Sequence, residues 1–255
     1  MRMWFHSAKL RIAQRMAYRG EYLISLITMF AVELIAPFFA YIMYYNTAGF
    51  TGWSIYQIIM MQGILMTVKG FSYFSFHGIV WNSNALLQRG EFDMVLLRPR
   101  NPLWMFICLS FDAEDIAKFG GGLLIMGFAL AHIEFKLMGF LTMLILMLTA
   151  IGLYFFFALI LSSIVFRVIQ SWRIYELVEI IELVGEYPKS VYPKYVGLFF
   201  TTLIPIFIAG FIPAQALFGN YSWEMVLAPA CLMGLVILSL IIWFRTIRNY
   251  ASAGG

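Results

Sequence analysis

The chain has 255 residues, of which 62% are hydrophobic, 18% aromatic and 12% charged, about half the charged share of an ordinary soluble domain. Seventeen Lys and Arg stand against 13 Asp and Glu, a formal net charge of +4. This composition excludes a soluble catalytic domain, and two cysteines in apolar surroundings, Cys108 and Cys231, form neither a disulfide framework nor a metal site.

Residues 1–20 lack the apolar core and small-residue site of a signal peptide, so no cleavable leader is expected. Arg2, Lys9, Arg11, Arg15 and Arg19 alternate with Trp4, Phe5, Ile12 and Met16. The pattern predicts a basic amphipathic helix lying on a membrane surface, with a disordered basic tail as the alternative. Six long apolar stretches follow: Tyr22–Tyr45, Trp53–Phe76, Ile116–Ile133, Leu137–Phe166, Val196–Ile212 and Met225–Phe244. A spanning helix needs about 20 mostly apolar residues to cross about 30 Å of hydrocarbon. The expected fold is therefore an all-α membrane protein of six transmembrane helices, forming one domain over residues 1–255.

Glu33 lies about twelve residues into the first stretch, and Lys69 about eleven residues from the far end of the second; at about 1.5 Å per residue these depths agree within one turn. A charge at the bilayer centre costs about 2.5–3.5 kcal/mol on insertion scales, so it faces protein or water. Glu33 and Lys69 are expected to share a network with Asp112 and Asp115, and Glu114 and Lys118 stand at favourable i,i+4 spacing. The network either lines a pathway or locks the first three spans together.

The segment 81–104, WNSNALLQRGEFDMVLLRPRNPLW, is too long for a turn. Asn82 or Ser83 is expected to cap a short helix ended by Gly90, with a further turn over Glu91–Leu97 stopped by Pro99 and Pro102. Gly120, Gly121 and Gly122 read as a close helix-packing surface. In 167–194, Ile174, Leu177, Val178, Ile181 and Val184 recur at helical spacing, and Glu176, Glu179, Glu182 and Glu186 take the other faces. This predicts a cytoplasmic or interfacial amphipathic helix ended by Gly185 and Pro188, or a continuation of the fourth span. The fifth stretch is short and carries Pro205, with Pro213 following. Residues 205–223 form either a re-entrant outer hairpin or a proline-kinked helix with a tight loop.

Basic residues set the expected orientation. The N-terminal segment, 81–104, 167–194 and the C-terminus hold fourteen of the seventeen Lys and Arg, whereas the opposite loops hold only Lys136. The positive-inside rule then places both termini in the cytoplasm. No phosphate-binding glycine loop, H-E-x-x-H or G-x-S-x-G occurs, and His6, His77 and His132 have no ligand spacing. No enzyme activity and no nucleic-acid partner are expected of this chain.

Arg89-Gly90-Glu91-Phe92-Asp93, Leu96-Leu97-Arg98-Pro99 and Asn101-Pro102-Leu103 resemble the G-x-[LF]-D-x-x-L-L-R-P-x-x-P signature of type-two ABC transporter permeases, the six-span membrane subunits of ABC exporters. Tyr18-Arg19-Gly20, Tyr192-Pro193, Ile204-Pro205 and Ile212-Pro213-Ala214 are similar in a weaker way. The resemblance implies that the loop couples to a separate ATPase subunit, which holds ATP and Mg, through Leu86, Leu87, Arg89, Glu91, Phe92, Asp93, Leu96, Leu97 and Arg98. It also implies a second permease copy or related chain, an outer gate around Pro205 and Pro213, membrane lipid as surroundings and a bacterial plasma membrane as location. The expected function is export of an amphiphilic or lipid-like substrate. The alternatives are a membrane enzyme acting on lipid or isoprenoid through Asp112, Glu114 and Asp115, or a non-transporting assembly or sensor subunit.

Overall fold

The computed structural model of the chain describes residues 2–47, 49–50, 52–167 and 172–250. The side chains of Arg2 and of residues 172–177 lie outside the described set, and with them the expectations placed on Arg2, Arg173, Ile174, Glu176 and Leu177. Among the described residues the fold is all-α, with thirteen α-helices and no strand.

Helix α1 (Arg2–Met16) is amphipathic: Trp4, Ala8 and Ile12, one turn apart, pack on Phe111, Ala113 and Phe74, while Phe5, Leu10 and Met16 are exposed. The first apolar stretch is two helices, α2 (Arg19–Glu33) and α3 (Ile35–Asn46), joined at Leu34. Pro37 accounts for the break. It has no N–H for the Glu33 carbonyl four residues back, and its ring crowds that carbonyl.

Helix α4 (Ile55–Ser72) opens on a capping box in which Gln57 N–H donates to Ser54 Oγ at 3.3 Å and Ser54 N–H donates to Gln57 Oε1 at 2.9 Å. It passes through one π turn, Tyr73–His77, directly into α5 (Gly78–Gln88). The combined helix is roughly 50 Å long at about 1.5 Å per residue, longer than the hydrocarbon layer. Asn82 and Ser83 therefore cap nothing. They lie inside α5, where Asn82 Nδ2 donates to the Leu109 carbonyl at 3.0 Å and Ser83 is fully buried. Gly90 does end this helix, with φ of 66°, as Glu91 N–H donates to the Leu86 carbonyl and Gly90 N–H to that of Leu87.

After the single turn α6 (Phe92–Leu96) comes α7 (Pro102–Leu109). Pro102 starts this helix rather than stopping one, because its missing N–H falls in the first turn, where Asn101 Oδ1 already accepts from Leu103 N–H at 2.9 Å. Four longer helices and two short ones complete the chain: α8 (Ile116–Leu130), α9 (Leu137–Val165), α10 (Trp172–Val184), α11 (Lys194–Thr202), α12 (Phe211–Leu217) and α13 (Glu224–Arg248). Among the described residues, three helical stretches are long and apolar enough to cross a membrane: Arg19–Asn46, Leu137–Val165 and Glu224–Arg248.

Small residues bring α4 and α8 together. A Cβ on Gly63 would lie 2.8 Å from the Met126 backbone nitrogen, and Gly70 and Gly122 touch the backbones of Phe119 and Thr67 more closely still. In lipid, such close approach replaces the missing hydrophobic driving force between helices. Gly121 and Gly122 serve this contact; Gly120 faces open space. A buried polar link ties α5, α9 and α13: Ser83 Oγ and Ser162 Oγ share a hydrogen bond of 2.7 Å, and Trp243 Nε1 donates to Ser162 Oγ at 3.0 Å.

The bundle has two ends. At one, Trp53 packs on Phe211 and Phe218, Tyr56 stacks on His132, and Gly139 meets the carbonyls of Ala216 and Leu217. At the other, Phe92 packs on Phe166 and Tyr250, and Trp4 packs on Phe111. Helix α10 runs antiparallel to α4 toward the first end. Glu182 meets Lys69, Gly185 meets Leu65, Glu186 meets Gln62 and Tyr187 meets Phe50 in turn. Lys189 then reaches Glu224, at the start of α13, with 3.0 Å between Nζ and Oε1.

This corrects two expectations. The segment 167–194 does not lie as a whole at the end expected to be cytoplasmic, since its C-terminal part touches the opposite loops. Nor is Val196–Ile212 a single kinked helix. Helix α11 enters from the Lys189 end, the chain turns through Ile206–Ala209, buried against Gly185 and the Met61–Leu65 turn, and α12 returns to Trp53. The hairpin begins at Lys194, not at 205, and its irregular backbone is covered by protein, the condition under which such backbone survives at membrane depth.

Candidate functional site

The break at Leu34 and the π turn at Tyr73 both fall beside one charged cluster. Glu33 sits at the end of α2, Lys69 one turn before the end of α4, Lys118 in the first turn of α8, and Glu182 near the end of α10. Lys69 Nζ lies 3.7 Å from Glu33 Oε1 and 3.1 Å from Glu182 Oε2; Lys118 Nζ lies 3.7 Å from Glu33 Oε1 and 3.1 Å from Asp115 Oδ1. Tyr73 Oη donates to Glu182 at 3.2 Å, its ring lies 4.8 Å from Lys118 Nζ, and its opposite partner is His77, stacked at 4.1 Å. A π turn adds one residue to the helical repeat, and such turns recur at functional sites. Here it places Tyr73 and His77 face to face beside the cluster.

The structure thus brings Glu33, Lys69 and Asp115 into one network, through Lys118, and adds Glu182. Asp112 stays outside it: its Oδ1 accepts from Glu114 N–H at 2.9 Å. The expected Glu114–Lys118 pair does not form. Glu114 takes Arg15 of α1 at 2.7 Å, and Lys118 takes Asp115 one turn before it. The spacing puts Glu182 on a face away from the apolar positions, yet it is 3% exposed, while Ile180 and Leu183 face outward. The signal that marks it is its place in Ile180-Ile181-Glu182-Leu183-Val184: a lone carboxylate inside an apolar run is expensive unless it faces protein or water.

A cavity of about 690 Å³ opens onto this cluster, walled by α2, α3, α4, α8 and α10. Four carboxylates line it (Glu33, Glu179, Glu182 and Glu186) against two ammonium groups (Lys69 and Lys118), so its wall is net acidic. Deeper in, Gln62 is buried with Nε2 donating to the Glu186 carbonyl at 3.1 Å.

The loop residues separate into two classes. Phe92 is fully buried between Phe106, Phe166 and Tyr250, so it anchors the loop and presents nothing to a partner. Leu86 and Leu87 are half-buried against the core. Leu97 is 83% exposed, and Met94, Leu96, Arg89, Arg98 and Arg100 surround it on the surface; Glu91 and Asp93 are intermediate. Pro205 lines a second cavity, of about 220 Å³, with Thr149, Thr201, Glu224 and Cys231. Pro213 is buried in the first turn of α12, where its missing N–H breaks no helical bond. Of the acidic triad considered for an enzyme, Asp112, Glu114 and Asp115 point to three different partners, and among the described residues no three His, Cys, Asp or Glu converge as metal ligands.

Comparison with curated proteins and with solved structures returns no match. A family profile described as ABC-2 family transporter protein matches residues 28–254, from within α2 to beyond the end of α13. That span takes in the charged cavity, the loop and the buried hairpin alike, and the chain therefore belongs to the ABC-2 transporter family.

Proposed function

We propose that this chain is the membrane-spanning permease subunit of an ATP-driven exporter of an amphiphilic or lipid-like substrate. The observation that carries the reading is the continuous helix from Ile55 to Gln88, which joins the charged cavity at Lys69 and Tyr73 to the loop that exposes Leu97. A rigid rod of this kind converts a push on its tip into displacement at the cluster. ATP and Mg belong to a separate ATPase subunit, whose groove takes Leu97, Met94 and Leu96, with Arg89, Arg98 and Arg100 contributing charge at the rim. Membrane lipid surrounds the bundle, and a second permease chain completes the pathway.

In this reading α10, rather than Val196–Ile212, is the fifth of six spans, and the α11–α12 hairpin closes the outer side around Pro205 and Pro213. Moving Lys189 and Lys194 to that side still leaves twelve of the seventeen basic residues on the other, which by the positive-inside rule supports cytoplasmic termini; the bacterial plasma membrane is the location that the family resemblance implies. The net-acidic cavity favours substrates whose polar end is cationic or zwitterionic.

The test is co-purification with the cognate ATPase and stimulation of its activity, comparing the intact chain with Leu97→Ala combined with Glu91→Ala and Asp93→Ala. Loss of ATPase binding or stimulation, with the permease still folded, supports the coupling role. An unchanged complex in the triple variant would remove it.

A further inference from the structure

A second polar cavity, of about 320 Å³, lies at the α1 end of the bundle, separate from the charged cavity but sharing Tyr73 with it. Arg11 of α1 forms one part of its wall and Asp112 another. Among the described residues neither side chain makes an ion pair. The neighbouring pair shows that this is not for want of reach: Arg15, one turn along the same face of α1, is clamped to Glu114 at 2.7 Å. Between Arg11 and Asp112 the structure leaves a cavity instead, well above the roughly 10–15 Å³ that one water needs.

A third polar side chain, His77, lines the same space. His77 is 4% exposed and its Nδ1 has no hydrogen-bond partner, although its ring is held firmly on Tyr73. A buried polar atom left unpaired costs about 1–3 kcal/mol, so a ligand that satisfies it gains that much. Trp81, half exposed, and Leu109 supply apolar wall beside these polar groups. Phe5 and Met16 lie exposed on one face of α1, the kind of face a membrane-surface helix turns to lipid.

A guanidinium and a carboxylate that make no ion pair, with Asp112 Oδ1 accepting only from the Glu114 N–H, and an imidazole nitrogen without a hydrogen bond around one cavity call for a ligand carrying both signs of charge. We infer that this cavity binds a phosphoethanolamine group, with the phosphate on Arg11, the ammonium on Asp112 and His77 Nδ1 completing the hydrogen bonding. Arg matches a phosphate with a fork of donors, and a primary ammonium donates to a carboxylate in a way that a trimethylammonium cannot. The position beside α1 fits the headgroup of a phospholipid in the adjoining leaflet. The assignment does not depend on which substrate is transported.

The test is native mass spectrometry of the full-length chain released from detergent, with phosphatidylethanolamine, phosphatidylcholine and phosphatidylglycerol of identical acyl chains offered at equal concentration. The expected result is about tenfold stronger retention of phosphatidylethanolamine than of the other two, the size of one charge-assisted hydrogen bond. Asp112→Asn should erase the preference over phosphatidylcholine, Arg11→Gln should weaken retention of all three, and Arg11→Lys should restore it in part. Water-soluble phosphoethanolamine at about millimolar concentration separates the sources: competition assigns the site to a free solute, and its absence to the lipid. Equal retention of the three lipids by the intact chain, or an unchanged preference in Asp112→Asn, would overturn the assignment.

Discussion

Lys69 Nζ stands 3.1 Å from Glu182 Oε2, across the gap between the long α4 helix and α10, with both side chains largely covered. Neither residue has a substitute charged partner of equal quality among the described residues: Glu33 is farther from Lys69, and Glu182 otherwise accepts from the neutral Tyr73 hydroxyl. Removing one member of such a pair leaves an uncompensated buried charge, which costs about 3–5 kcal/mol. Lys69→Met is therefore expected to lower thermal stability in detergent markedly. The double variant Lys69→Met with Glu182→Gln should be less destabilised than the sum of the two singles. Additive singles in a double-mutant cycle would show that the pair is not coupled.

What the sequence disclosed of this cluster, and what it hid, follows from the physics of each residue. Glu33 and Lys69 were legible because charges deep in apolar stretches are rare and their depths can be compared by counting. Glu182 was hidden because α10 carries three acidic residues, Glu176, Glu179 and Glu182, and their spacing puts all of them on faces away from the apolar positions; only the contact with Lys69 of α4 shows that Glu182 turns inward. Lys118 was seen but given to Glu114, since i,i+4 spacing cannot anticipate that Arg15 of α1 takes that carboxylate. The long helices were legible from hydropathy. The course of α10 was not, because its three acidic residues and short apolar run disguise a segment that brings Glu182 to Lys69 and is continued by Gly185 and Glu186 to Leu65 and Gln62 of α4. Likewise the loop signature marked Phe92 as a contact residue, whereas three aromatic neighbours show it to be an anchor.

The α4–α8 contact yields a paired prediction. Gly122 lies against the Thr67 backbone, so any side chain there must push two helices apart; Gly122→Leu should destabilise by at least the 1–3 kcal/mol typical of overpacking. Gly120, two residues earlier, has open space where its Cβ would go, and Gly120→Ala should be neutral or stabilising by up to about 1 kcal/mol through helix propensity. Thermal unfolding of the two variants in one detergent checks both, and equal loss in each would contradict the close-approach account.

The Ser83–Ser162–Trp243 link gives a smaller effect. Ser162→Ala removes the acceptor for Trp243 Nε1 and the partner of Ser83 together, at a site with no water access. Hydrogen bonds between membrane helices average about 0.6 kcal/mol, with model-peptide values of about 1–2. Ser162→Ala is expected to fall in that range, with the Trp243 indole emission shifted by the lost hydrogen bond. Trp243→Phe in the Ser162→Ala background should cost less than it does alone, because the indole N–H no longer has a partner to lose.

The course of α10 is open to a direct chemical test. Ser190 is exposed beside Lys189, which bonds to Glu224, whereas Gln88 is exposed at the tip of α5 beside the loop that carries Leu97. If α10 crosses the membrane, these two positions lie on opposite sides. In a background of Cys108→Ser and Cys231→Ser, Ser190→Cys should react with a membrane-impermeant maleimide added to intact cells. Gln88→Cys should react only after the cells are permeabilised. Labelling of both positions from the same side would return 167–194 to a single face of the membrane. The fifth span would then have to come from the α11–α12 hairpin, whose ends both lie beside Trp53 and Glu224 and which is broken at Pro205.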